Sequence, residues 1–177
     1  MNVDELRGEV ARQIRDVPDF PKSGILFKDI TPLLLNPVVF AQVVCHFAEY
    51  YKDRNVTSVV SPEARGFILG AVLAHELGVG FIPARKPGKL PCEVEALRYC
   101  LEYGEDEIQV HKDAINSGDR VLVCDDLIAT GGTARATCQL IEKMGASVIG
   151  VCFLIELAGL GGDDKLKDYD VYSLISY

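Results

Sequence analysis

The six cysteines of this chain (Cys45, Cys92, Cys100, Cys124, Cys138 and Cys152) never fall in a Cys-x-x-Cys arrangement. Cys124 and Cys152 sit in apolar strand-like runs and Cys138 on an apolar helix face, which reads as small core residues in a reducing compartment. His46, His75 and His111 lack metal-ligand spacing, so structural roles are expected. There is no G-x-x-x-x-G-K-[ST] loop, which argues against P-loop ATP hydrolysis. No G-x-G-x-x-G follows the first strand, which leaves a dinucleotide fold little support. Base is scarce relative to acid: 18 Lys and Arg face 26 Asp and Glu, a net charge of −8, which disfavours nucleic acid as the main partner. No apolar stretch is long enough to span a bilayer, and the N-terminus lacks the basic start and apolar centre of a signal peptide. A cytoplasmic protein with no membrane partner is therefore expected. Internal repeats, low-complexity tracts and interdomain linkers are also missing.

What is present is a globular composition, 49% hydrophobic over 177 residues, enough for one domain over 1–177 with a real core. Val3, Leu6, Val10 and Ile14 mark one face of an N-terminal amphipathic helix. Asn36-Pro37 starts a helix whose apolar face is Phe40, Val43, Val44, Phe47 and Tyr51. Thr57 to Ser61 reads as a strand, and Pro62 as the start of an apolar helix to about Leu77. Further strands are expected at Gly80–Ala84, Arg120–Asp125, Val148–Leu157 and Val171–Ile175, with a helix between Asp125 and about Met144. This alternation predicts an α/β fold, a mainly parallel twisted sheet with helices on both faces. Residues 1–36 precede it as an N-terminal helix and a possible hood, and residues 93–111 break it as an exposed hairpin or a mobile flap.

Charge is unevenly spread. Between Leu77 and Pro91 the only charges are Arg85, Lys86 and Lys89, whereas Glu93 to Glu107 holds six acids opposed only by Arg98. A cationic cluster on an acidic protein suits a small anionic ligand; a solvated basic loop is the alternative. The most informative segment is Val121-Leu122-Val123-Cys124-Asp125-Asp126-Leu127-Ile128-Ala129-Thr130-Gly131-Gly132-Thr133. A buried parallel strand ends in two carboxylates where open α/β sheets bind ligands. The small residues that follow let backbone N–H groups approach an anion at the next helix N-terminus. Asp125 and Asp126 can accept hydrogen bonds from a diol. The layout suits a phosphorylated sugar.

Asp125 to Thr133 resembles the phosphoribosyl pyrophosphate (PRPP) motif of type I phosphoribosyltransferases, and its Ala-Thr-Gly-Gly-Thr ending is similar to the adenine phosphoribosyltransferase branch. Further segments match in order: Phe20-Pro21 with Gly24-Ile25-Leu26-Phe27-Lys28-Asp29, Glu63-Ala64-Arg65-Gly66-Phe67, Arg85-Lys86-Pro87-Gly88-Lys89-Leu90-Pro91, Leu101-Glu102-Tyr103-Gly104, and Phe153 to Leu157. The resemblance implies that fold, with a hood and a flexible catalytic flap, and the reaction of adenine with PRPP to AMP and pyrophosphate. It implies Mg²⁺ carried mainly on PRPP oxygens and water, with no metal bound directly by the protein. It assigns the 5′-phosphate to Ala129, Thr130, Gly131, Gly132 and Thr133, and the ribose hydroxyls to Asp125 and Asp126. Pyrophosphate falls to Arg65, Arg85, Lys86 and Lys89. In relatives some of these cations cross a dimer interface, which implies a homodimer. Glu102 is the implied acid/base, with Tyr103 helping to close the site. Adenine is expected against Ile25, Leu26, Phe27 and Lys28, read largely by backbone groups; Lys28 stands where several relatives have Arg.

Two rival readings differ in base or in class. A 6-oxopurine enzyme commonly places a lysine near the strand at Val148–Leu157, and this chain has none there. A non-catalytic PRPP sensor acting on DNA needs a DNA-binding module and a basic face, for which an acidic chain of this length has no provision.

Overall fold

The computed structural model describes residues 2–101 and 104–177. Two compact units emerge, residues 1–46 and 47–177. The first opens with α1 (Val3–Gln13), whose start is a capping box: Asn2 Oδ1 accepts the Glu5 N–H and Glu5 Oε2 accepts the Asn2 N–H, satisfying two helix-end donors reciprocally. Leu6 and Val10 of the predicted apolar face are buried. An antiparallel hairpin follows, β1 (Arg15–Pro18) with β2 (Leu26–Asp29), then α2 (Thr31–Leu35) and α3 (Pro37–Tyr51), which runs past the end of the unit. The Asn36 side chain accepts from the Val39 N–H at the start of α3, as the Asn-Pro signal predicts.

The second unit contains β3 (Ser58–Pro62), α4 (Gly66–Leu77), β4 (Gly80–Ala84), β5 (Val94–Leu101), β6 (Gly104–His111), β7 (Arg120–Ile128), α5 (Gly132–Lys143), β8 (Ser147–Glu156) and β9 (Val171–Ser176). Five strands form one parallel sheet in the order β4-β3-β7-β8-β9. Side chains alternate between its faces. Val60, Ile82, Val121, Val123, Val151 and Phe153 join the core that includes Ala136, Leu140 and Ile141 of α5. Ser61 and Phe81 point the other way: Phe67 of α4 meets Phe81 edge-on at 5.8 Å, and Gly70 lies so close to Ser61 Oγ that a Cβ there would clash. The expected parallel α/β sheet with a helix on each face is therefore observed.

Three local expectations need correction. Pro62 ends a strand rather than opening a helix. It pairs with Ala84 in the β3–β4 ladder, and the Glu63 N–H still donates to Ala84 O, so the chain turns through Glu63–Arg65 before α4 begins. Strand β7 runs beyond Asp125 to Ile128, because β8 is long enough to pair with it up to Glu156; the two aspartates lie within the strand. The segment 93–111 does form a hairpin, β5 with β6, but it is not an exposed one. Ile108 and Val110 are buried in the core with Leu97 and Tyr99 packed against it. Arg85 and Gln109 also exchange both backbone hydrogen bonds.

Candidate active site

In the sheet order, β3 has β4 on one side and β7 on the other. The chain thus reverses its direction of winding between β3 and β7, and a crevice opens beyond their carboxyl ends. A cleft of about 270 Å³ lies there, lined by Glu63, Ala64 and Arg65 from the turn after β3, Asp125 to Ala129 from β7 and the turn beyond it, and Gly131, Thr133, Ala134 and Phe153. It brings together Arg65, Asp125, Asp126, Ala129, Gly131 and Thr133 of the predicted set; Thr130 and Gly132 belong to the same turn without lining it.

Gly131 is the N-cap of α5 at φ 72°, a left-handed conformation that costs a side chain. Its side-chain-free cap leaves the first N–H groups of α5 for another acceptor, the general basis of anion binding at helix starts. Close approach is needed at Gly66 as well, where a Cβ would lie 2.4 Å from Asp125 Oδ1. This brings the start of α4 against the first aspartate.

Asp126 is buried and its Oδ2 lies 2.9 Å from Arg65 Nη2. A cation at a helix start is unfavourable beside the dipole, and Asp126 supplies an anion that offsets it. The Asp126 N–H donates to Asp125 Oδ1 at 2.8 Å. Burial and then the neighbouring Asp126 charge push the Asp125 carboxyl well above the ordinary carboxylate range. Burial also raises Asp126, with Arg65 pulling it back.

Glu63 carries no role in the sequence reading, yet it organises the cationic cluster. Its side chain is only 7% exposed. It accepts from Arg85 Nε and Nη2 at 3.3 and 3.0 Å, from the Lys86 N–H at 2.7 Å and from Lys89 Nζ at 2.9 Å. Burial alone would raise its carboxyl; the bonds from Lys89, Lys86 and Arg85 together outweigh that and hold it at about 2. Lys86 Nζ in turn lies 2.7 Å from Asp106 Oδ2 on β6. Arg85, Lys86 and Lys89 are thus gathered, as expected, but each leans on a carboxylate of its own chain.

The predicted base-contact segment lies in the first unit. Ile25 and Leu26 are exposed, and Phe27 meets Phe20 edge-on at 5.1 Å. Lys28 is buried with Nζ donating to Asp16 Oδ1 at 2.7 Å. Glu102, the predicted acid/base, and Tyr103, expected to help close the site, lie outside the described residues. Among the described residues no group of three or more His, Cys, Asp or Glu side chains could hold a metal ion, and no helix is long and apolar enough to cross a membrane.

A family model described as a phosphoribosyl transferase domain matches residues 33–176. An adenine phosphoribosyltransferase from Lactobacillus acidophilus is 52% identical over 169 residues, covering 96% of this chain and 97% of that protein. Among solved structures, the adenine phosphoribosyltransferase of Thermoanaerobacter pseudethanolicus is 48% identical with a TM-score of 0.94, over 97% of this chain and 99% of that one. The Saccharomyces cerevisiae enzyme, solved with adenine and an imino-altritol bisphosphate, is 38% identical with a TM-score of 0.91 over 97% and 99% of the two chains.

Proposed function

Since the chain belongs to the phosphoribosyltransferase family and within it to the adenine phosphoribosyltransferases, we propose that it transfers the 5-phosphoribosyl group of PRPP to N9 of adenine, giving AMP and pyrophosphate. The observation that carries the site reading is the cleft at the β3–β7 switch point. There two carboxylates and the Gly131-capped helix start face a turn bearing Arg65. Displacement at the anomeric carbon passes through an oxocarbenium-like state while charge builds on the departing pyrophosphate, so positioning and electrostatic stabilisation carry the catalysis.

In this reading Ala129, Thr130, Gly131, Gly132 and Thr133 hold the 5′-phosphate through backbone N–H groups and the two threonine hydroxyls. Asp125 and Asp126 accept hydrogen bonds from the ribose hydroxyls. Arg65, Arg85, Lys86 and Lys89 receive the pyrophosphate, Glu63 keeping the last three in place. The forked donors of arginine and the point charge of lysine suit polyphosphate. Adenine packs on Ile25, Leu26 and Phe27 and is read by main-chain groups of that segment. The Lys28 amine, committed to Asp16, is left out of base contact. Glu102 manages the purine proton and Tyr103 excludes water, with residues 93–111 as the flap and 1–36 as the hood of a single functional domain.

Mg²⁺ fits this donor set only indirectly. The cleft offers two adjacent carboxylates, one of them ion-paired, rather than a cage, as suits an ion that keeps its waters. When bound, Mg²⁺ would neutralise part of the pyrophosphate charge. A homodimer is supported by Ile68 and Val72, which are exposed one turn apart on α4. A cytoplasmic location is supported by Cys124, Cys138 and Cys152 standing as buried thiols.

The test is AMP formation from PRPP and Mg²⁺ with adenine, hypoxanthine, guanine or xanthine, beside Glu102→Ala. Turnover of adenine alone, greatly reduced in the variant, is expected. Preference for an oxopurine would overturn the base assignment, because a site built for one hydrogen-bond pattern rejects its inverse.

A further inference from the structure

The stretch between β8 and β9, residues 157–170, does not line the cleft, yet it backs the turn that leads into α5. Gly131 and Gly162 meet there, backbone to backbone. A Cβ on Gly162 would overlap Ala129 O and stand 2.7 Å from Ile128 Cγ1, just as one on Gly131 would overlap Gly162 O. Gly162 itself has φ −67° and ψ −34°, right-handed values open to any residue, so the contact and not the conformation calls for glycine. The stretch is fixed in three ways. Leu166 is buried in the core that includes Ile128 and Ala134. Gly162 O accepts the Lys165 N–H at 3.2 Å. Arg135 Nη1, from the first turn of α5, donates to Lys165 O at 2.5 Å.

We propose that Gly162 is a positioning residue for the 5′-phosphate turn, setting the Ala129–Thr130 peptide so that its N–H faces the anion, and that Arg135 keeps Gly162 in place. The inference rests on the functional reading above for what the turn binds. The Ala129–Thr130 peptide is trans, so its C=O and N–H point in opposite directions. Ala129 O is the end turned to Gly162, which sends the Thr130 N–H the other way. Ala129 and Gly131, on either side of it, line the cleft. Because Gly162 carries only hydrogens on its Cα, the carbonyl can approach this closely and the peptide plane is set. A methyl group there would push Ala129 O aside, and turning the oxygen turns the N–H with it. A hydrogen bond to an anion is both strong and dependent on its angle, so such a rotation weakens the grip on phosphate.

Neither Gly162 nor Arg135 need touch a ligand, and this sets the test. Ribose 5-phosphate and inorganic pyrophosphate are titrated calorimetrically into wild type, Gly162→Ala, Arg135→Met and Gly159→Ala, with the KM for PRPP and for adenine measured alongside. Gly162→Ala should weaken ribose 5-phosphate about tenfold and Arg135→Met about threefold, the range of one lost or misaligned hydrogen bond to an ion. The PRPP KM should rise in step, while pyrophosphate affinity and the adenine KM stay near wild type; a merely structural role would not produce that split. Gly159, on the same stretch with nothing within 4 Å of a Cβ, is the control and should match wild type. Arg135→Met keeps the apolar stem and loses the donor, so it decides the matter if Gly162→Ala does not fold. Wild-type ribose 5-phosphate affinity in a folded variant of either residue would overturn the role of that residue, and an equal loss of pyrophosphate would overturn both. AMP synthesis by the wild type tests the functional reading separately: its absence with the ribose 5-phosphate effect intact would overturn that reading and leave the positioning supported.

Discussion

Arg65 Nη2 and Asp126 Oδ2 stand 2.9 Å apart, so the cation at the start of α4 and the second carboxylate of β7 neutralise each other across the cleft. Asp125 is in a different position. Its Oδ1 has the Asp126 N–H, but burial and the adjacent Asp126 charge both work against its ionisation. Burial thus raises both aspartates, but Arg65 offsets part of this at Asp126, whereas at Asp125 the neighbouring Asp126 charge adds to it. Sites that bind charged or polar ligands commonly sacrifice stability in this way.

The first prediction follows from that difference. A carboxyl whose pKa is raised on folding stabilises the native chain below the ordinary carboxylate range, and that contribution is lost as pH rises through the raised value. Asp125→Asn removes the charge and keeps the shape. The variant should melt a few degrees higher than wild type at pH 7 (about 1 kcal/mol corresponds to several degrees in a chain of this size). The gap should close as pH falls toward 4. AMP synthesis should drop about tenfold or more if Asp125 binds the ribose. A variant that melts lower at every pH would sink the idea that Asp125 is held at a cost.

Glu63 gives the opposite sign. Its carboxyl is held at about 2 rather than 4.5, so its contribution is fully present above the ordinary value and is lost as pH falls toward 2. Glu63→Gln should flatten the acid limb of stability, measured by urea unfolding from pH 6 to pH 3. It should also raise the PRPP KM about tenfold, because the negative charge and one of the two acceptor oxygens that hold Arg85, Lys89 and the Lys86 N–H are lost. The adenine KM should hardly change. An unaltered PRPP KM would separate the cation cluster from the ligand.

The legibility of these features in the sequence differs for physical reasons. Asp125 to Thr133 is a local device, strand then turn then helix start, so its chemistry is written in consecutive residues. Gly80–Ala84 was readable because its flanking glycine and apolar run are local too. Glu63 was not, since its partners Arg85, Lys86 and Lys89 are 22, 23 and 26 residues away, brought to it only by the parallel pairing of β3 with β4. An acid after Ser-Pro looks like any helix-start residue until that pairing exists. The same holds for Pro62, whose place in a strand depends on Ala84. The hairpin read as exposed because acids dominate its composition, whereas Leu97, Ile108 and Val110 are the residues that decide its packing.

The turn proposed to hold the 5′-phosphate is shaped from outside the cleft as well as by its own residues. A Cβ at Gly131 would lie 2.4 Å from Gly162 O and 3.1 Å from its carbonyl carbon, backbone atoms that cannot swing aside. The left-handed φ of 72° adds about 1–2 kcal/mol for a residue with a Cβ. Gly131→Ala should therefore lower Tm by several degrees and shift the turn, raising the PRPP KM while leaving the adenine KM near wild type. Gly159→Ala is the control, since nothing lies within 4 Å of a Cβ there; it should match wild type in both respects. If Gly131→Ala kept a wild-type PRPP KM despite the lower Tm, the turn would be a structural corner only. The anion would then have to be held by the Thr130 and Thr133 side chains rather than by the backbone around Gly131.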